Sequence, residues 1–208
     1  MISWRWVPLV LPLLAASPLG CAKSRAPISV EPREDGGTPI DTDVMAYLSL
    51  ARSLHHQANL SEDSRDVPGA IAPLEHLVRV AKPHDGTTVP EVEEVLADTY
   101  ARMAELRLRT GELAAAEDDV RQGLTHAPGA TYFRGHLLEV MGIIDEARAS
   151  SFADAGQVAA AQQARGRARE FLKQAVAVQE EVLAHATAEA ADGGAAVVPS
   201  MAEGGPRK

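Results

Sequence analysis

From Thr38 onward apolar residues recur three and four positions apart, in runs separated by Gly- or Pro-marked turns. That period lines up one face of an α-helix, and a chain built almost wholly of such faces buries them by packing helix on helix. The first run carries Val44, Tyr47, Leu48, Ala51, Leu54 and Ala58 behind an Asp/Thr cap cluster. The second starts at a proline, carries Ile71, Leu74, Leu77, Val78 and Ala81, and stops before Pro83. Val92, Leu96, Met103 and Leu106 form the third, closed by Gly111; Leu113, Ala116, Val120 and Leu124 form the fourth, closed by Pro128. Phe133, Leu137, Val140, Met141, Ile144 and Ala147 mark a fifth, and Val158, Ala161, Ala168, Leu172, Ala175 and Val182 a sixth. Hydrophobic residues make up 46% of the 208, yet aromatics only 4%. Alanine fills much of the difference, which favours closely packed helices over sheets, whose pleated faces prefer β-branched and aromatic side chains. The expected fold is all-α: three stacked helical hairpins over residues 41–186, with a long last hairpin and no strand.

The first twenty residues follow a different pattern. Arg5 is a basic side chain near the terminal amine, and the apolar run Val7–Ala16 is too short to cross a bilayer as a permanent helix. Small residues and then Cys21, the chain's single cysteine, follow; one thiol forms no intrachain disulfide. Residues 1–20 resemble a bacterial lipoprotein signal peptide, in which a Gly-Cys junction, here Gly20-Cys21, is cut and the cysteine sulfur receives a diacylglycerol. Pro18 and Leu19 stand where that signal usually has Leu and a small residue. Two other readings are open. A secretory cut after Ser17 puts Pro18 directly past the scissile bond, and an uncleaved anchor would have its helix broken by Pro8 and Pro12. The lipoprotein resemblance implies attachment to a membrane through acylated Cys21, at about 0.8 kcal/mol per buried methylene. Ala22 follows the cysteine where an Asp would signal inner-membrane retention. The resemblance therefore implies export to the outer membrane, facing the periplasm, with a secreted or periplasmic protein as the alternative. Residues 21–40 are rich in Pro, Gly and charge and read as a disordered tether. Residues 187–208 read as a disordered tail, within which Ala195–Pro199 is a short candidate docking segment.

The middle hairpin carries a more specific pattern. Tyr100, Met103 and Ala104 give large, large and small side chains on its first helix, and Gly111 sits in the tight turn. Ala116, Val120, Gly123 and Leu124 continue the second helix, and Pro128 stops it. This resembles a tetratricopeptide repeat, with Arg107 where the family has an aromatic. The flanking hairpins keep part of the pattern. The first has Ala70, Leu74 and Leu77 but a turn that reads as lengthened over His56–Gly69; the last has Gly156 and Ala161. The resemblance implies a groove lined by the first helices of the pairs, with Asp98, Ala101, Glu105, Leu108 and Arg109 facing it. Co-chaperone members of the family clamp a terminal carboxylate with Lys and Asn at the places held here by Ala101 and Glu105. The groove is therefore expected to take a mixed or basic segment of a partner protein.

Charge and motifs narrow the function classes further. Asp and Glu number 29 against 20 Lys and Arg, a formal net charge of −9, which argues against nucleic acid, whose phosphates need a basic face. His55 and His56 are adjacent, so on a helix they point about 100° apart; His76, His84, His126 and His136 are scattered, without metal-ligand spacing. The carboxylates of "EVEEVLAD" and "AEDDV" fall early in helices, where the helix dipole favours them by about 0.3–1 kcal/mol each. No phosphate loop, Gly-x-Ser-x-Gly elbow, Rossmann glycine set or calcium loop occurs. The expectation is a protein with no catalysis, metal or cofactor: a membrane-anchored interaction scaffold or assembly factor of the bacterial cell envelope, holding another envelope protein. The alternative from a different class is a non-catalytic accessory subunit of an envelope enzyme, a cell-wall hydrolase or transferase.

Overall fold

Asp41 accepts hydrogen bonds from the backbone N–H groups of Asp43 and Val44, both at 3.1 Å, and so fixes the start of helix α1, Thr42–Asp63. The computed structural model describes residues 41–193. The signal-like segment 1–20, Cys21 with the tether to residue 40, and Ala195–Pro199 lie outside the described residues. Helix α2 spans Val67–Arg79, α3 Pro90–Arg109, α4 Leu113–His126, α5 Tyr132–Asp154 and α6 Val158–Gly193, with a single 3-10 turn at Pro83–Gly86. Among the described residues the fold is all-α and has no strand.

Three of the turns are built alike. Arg65, Gly111 and Gly156 take φ of 62°, 80° and 73°. After each, the next N–H reaches back five positions: Asp66 to Ser61 at 2.9 Å, Glu112 to Arg107 at 2.9 Å, and Gln157 to Phe152 at 2.8 Å. Glycine takes this left-handed step without a Cβ penalty in the second and third turns, whereas Arg65 takes it with one. Arg65 and Gly111 are 46 positions apart, Gly111 and Gly156 45. The first turn is not lengthened as the sequence pattern implied. α1 runs on through Asp63 because Ala58 is fully buried and half-buried Arg102 holds Glu62, leaving only Ser64–Asp66 between helices. α6 likewise continues past residue 186, where the tail was expected to start, as far as Gly193. Its run of alanines favours helix.

The helices pair in chain order, α1 with α2, α3 with α4 and α5 with α6, and α3 also meets α1, α2 and α5. One core cluster joins α3, α4 and α5 through Ala97, Ala101, Ala104, Ala116, Val120, Leu137, Val140 and Ile144. Two others join α1, α2 and α3, around Leu54, Leu77 and Leu96 and around Leu74, Met103 and Leu106. Each fully buried Leu contributes about 1.5–3 kcal/mol. α6 meets α5 through Ala161, Ala164, Ala168 and Ala175, and α5 answers with Gly142, where a Cβ would lie 2.8 Å from Leu172 Cγ. Small residues on both sides let these two helices run close together.

Ion pairs strap the second helices to this frame. Arg107 on α3 takes the aromatic's place in the repeat pattern and donates to Glu75 of α2 at 2.7 Å and to Asp119 of α4. Asp145 on α5 is almost fully buried and accepts two bonds from Arg167 of α6, at 3.0 and 2.7 Å. Arg148 bridges Asp145 to Glu117 of α4. Burial pushes the Asp119 carboxyl up to about 6, against the opposing pull of Arg107.

Candidate functional site

Along α3 the polar residues Asp98, Arg102, Glu105 and Arg109 follow one another at spacings of four, three and four. That interval keeps them on one face, opposite the apolar stripe that anchors the helix. α1 and α5 flank this face and contribute Glu62 and His136, and the six side chains line a depression of about 320 Å³. Glu62 accepts from Arg102 Nη2 at 2.8 Å and from Arg109 Nη2 at 2.7 Å, and Arg102 also donates to Asn59 of α1. Those two guanidinium groups, Arg109 first, hold the Glu62 carboxyl below its ordinary range. On the other wall His136 Nε2 lies 3.3 Å from Glu105 Oε1, and its hydrogen bond to Glu105 raises the imidazole's pKa. At the upper end His55 sits 2.9 Å from Thr99 Oγ1 and 3.9 Å from Asp98 Oδ2; burial, opposed by Asp98, lowers its pKa. Both signs of charge are present, and Asp98, Glu105 and Arg109 keep about half their side-chain surface in solvent.

Of the five residues expected to face a groove, Asp98, Glu105 and Arg109 are among the side chains that line this depression. Ala101 is not. It is 1% exposed and packed with Ala97 and Ala104 against Val140 and Ile144, because α5 approaches α3 over a strip of alanines. Leu108 is half-buried and packs on the same cluster, since its apolar side chain follows the core side of the last turn. Arg102, Glu62 and Asn59 are not among the expected groove residues, and His136 is expected only as one of the scattered histidines. Of these, Arg102 was detectable from the polar spacing along α3. Among the pattern residues of the middle hairpin, Met103, Ala104, Ala116 and Val120 are buried. Tyr100 stacks on His126 with ring centres 5.5 Å apart. Gly123 is pressed so closely that a Cβ there would lie 2.6 Å from Leu137 Cδ2, while Leu124 is half-buried and Pro128 exposed.

A second cavity, of about 350 Å³, opens between the start of α3, the end of α4 and Phe133 of α5. Glu93 sits in its wall, 2.8 Å from Lys82 Nζ and 2.5 Å from His126 Nδ1. Burial pushes the Glu93 carboxyl up, but Lys82 and His126 together outweigh it, and the net displacement is downward. The pair ties the end of α4 to the start of α3. Among the described residues no group of three or more His, Cys, Asp and Glu is placed to hold a metal ion, and no helix is long and apolar enough to cross a membrane. Comparison of the chain with protein-family models, with curated proteins and with solved structures finds no match in any of the three.

Proposed function

We propose that the chain is a lipid-anchored scaffold of the bacterial envelope, a tetratricopeptide-like stack of three hairpins whose groove holds a segment of a partner protein. The observation that carries this reading is the stripe Asp98, Arg102, Glu105 and Arg109, set on α3 between Glu62 of α1 and His136 of α5. The groove floor is thus a helix fixed on its other sides by the core. Mixed, half-exposed charges suit a partner segment that carries both signs and exchanges its own pairs for the internal ones. The unit of 45 to 46 residues is longer than the 34 of a tetratricopeptide repeat and falls in the length range of other two-helix repeats. The likeness therefore rests on stacking order and on the middle hairpin's residues. In this reading acylated Cys21 supplies the anchor.

The test is crosslinked capture of the tagged full chain from its own membranes, alongside the same chain carrying Glu105→Lys and Arg109→Glu. A partner recovered in near-equal amount with the unaltered chain and lost with the groove variant is the expected result. Recovery of lipid and the chain alone, or of a partner indifferent to the groove, refutes the scaffold reading. Cys21→Ala is expected to release the chain from membranes, and undiminished association refutes the anchor.

A further inference from the structure

The last hairpin ends the stack with a face that meets no other described helix, and that face is not polar. Ile143 of α5 is 40% exposed, Val176 and Leu183 of α6 are 52% and 66% exposed, and half-buried Leu172 lies between the two helices. A repeat array that stays single closes its terminal unit with a polar outer surface. Here the charges on the face are instead sorted by helix. Glu139 and Glu146 flank Ile143 on α5, with Glu139 only 3.9 Å from His136 on its groove side. Arg165, Arg169 and Lys173 succeed one another at four-residue spacing on α6, beside Leu172 and Val176, and all three are exposed. Like charges four apart on one helix repel, and the carboxylate beside this row within α6 is Glu170, three positions before Lys173. Glu170, the carboxylate inside the row, lies about 100° round the helix from Arg169 and accepts from Gln174.

The register of the hairpin turns this sorting into a match. α5 and α6 run antiparallel with Gly142 against Leu172 and Asp145 against Arg167. Glu146 is therefore level with the Arg165–Arg169 step, Ile143 with Arg169 to Phe171, and Glu139 with Lys173 to Ala175. A second copy turned by a half-rotation about an axis parallel to the helices lays its α5 on the first copy's α6, and its α6 on the first copy's α5. Glu146 then meets Arg165 and Arg169, Glu139 meets Lys173, and Ile143 packs beside Arg169 and Leu172, twice over by symmetry. The perpendicular two-fold, α5 on α5 and α6 on α6, sets each row against its own kind. We infer that two copies of this chain associate through the open face of the last hairpin, α5 of each packed on α6 of the other. Two helices per copy make a small interface, so the dissociation constant is expected on the order of micromolar.

The test is sedimentation equilibrium of the full chain in a density-matched detergent, at concentrations on the order of tens of micromolar. The unaltered chain is expected to be dimeric. Arg169→Glu and Glu146→Arg are each expected to weaken the dimer about tenfold or more, because each sets like charges together at two symmetric places. An equal mixture of the two variants is expected to restore the dimer, since in the mixed pair every reversed charge meets its opposite. Both positions are exposed, and helix content by circular dichroism reads the fold of each variant directly. A monomeric unaltered chain, a dimer indifferent to both reversals, or a mixture that stays monomeric overturns the inference.

Discussion

Arg107→Leu removes the guanidinium shared by Glu75 and Asp119, and the two carboxylates are left in different positions. Glu75 keeps 35% of its side-chain surface in solvent and recovers water; Asp119 keeps 7% and does not. Even with Arg107 in place, burial holds the Asp119 carboxyl at about 6 instead of 3.8. At about 1.4 kcal/mol per pH unit, that gap means the ionised group opposes folding by about 3 kcal/mol at neutral pH. Without the guanidinium its pKa rises further, and breaking a buried pair from one side costs about 3–5 kcal/mol. The sign with pH follows from the direction of the shift. A carboxyl whose folded pKa is raised stabilises the fold below its unfolded value and loses that contribution as pH rises through the folded value. The variant binds its proton above 6, so its deficit against the unaltered protein narrows as pH falls from neutral to about 6. Below that the deficit is flat, because both proteins are then protonated.

The second arm removes both charges. Arg107→Leu with Asp119→Leu leaves no stranded carboxylate and fills the site with apolar volume, so stability returns to about that of the unaltered protein or exceeds it by about 1–4 kcal/mol. Urea unfolding followed by far-ultraviolet circular dichroism, at about pH 7.5, 6 and 5, reads all three proteins. A single variant that costs less than about 1 kcal/mol refutes the argument from burial. A double variant no more stable than the single one refutes the claim that Asp119 is the group left behind.

Ala116 is fully buried where α4 crosses α3 and α5, so Ala116→Leu overpacks the site and costs about 1–3 kcal/mol; an unaltered melting temperature would place the crossing elsewhere. The Tyr47 hydroxyl is buried without a hydrogen-bond partner among the described residues, so Tyr47→Phe is expected to stabilise the fold by about 1 kcal/mol, read by urea unfolding. A loss of stability there would reveal a partner for the hydroxyl. In proton NMR titrations His136 is expected to titrate above 6.5 and His55 below it, and Glu105→Gln should lower His136 while leaving His55 in place. A His136 value indifferent to Glu105→Gln removes the electrostatic link across the groove.

The helical period made most of the core legible. Leu54, Leu74, Leu77, Leu96, Leu106, Leu137 and Ile144 all fall on the expected stripes and are all buried. Periodicity does not carry the distance between helices, and Ala101 depended on that distance. It stands at an angle between groove and core, and the alanine strip of α3 draws α5 in far enough to cover it. Val158 failed for the opposite reason: it holds a stripe position in the first turn of α6 but lies past the end of α5, and is 64% exposed. Arg102 was legible in principle, because polar residues spaced four, three and four mark a face as surely as apolar ones do. Glu62 and Asn59 were not, since they reach Arg102 from 40 and 43 positions away and no local spacing announces such a meeting.

The placement of charge on α3 separates what holds the fold from what is free to bind. Arg107 faces α2 and α4 and is only 16% exposed, so its ion pairs are enclosed and act on stability. Arg109, two positions on, has rotated about 200° to the groove side and is 51% exposed. Its pair with Glu62 sits in water and contributes little to the fold, by roughly 0–1 kcal/mol. Charge reversals at Asp98, Glu105 or Arg109 should therefore leave unfolding midpoints nearly unchanged, whereas changes at Arg107, Asp119 or Asp145 should move them. A partner lost through Glu105→Lys at constant stability would then assign binding to the groove itself, because the enclosed straps on the other faces of α3 keep the helix in place throughout.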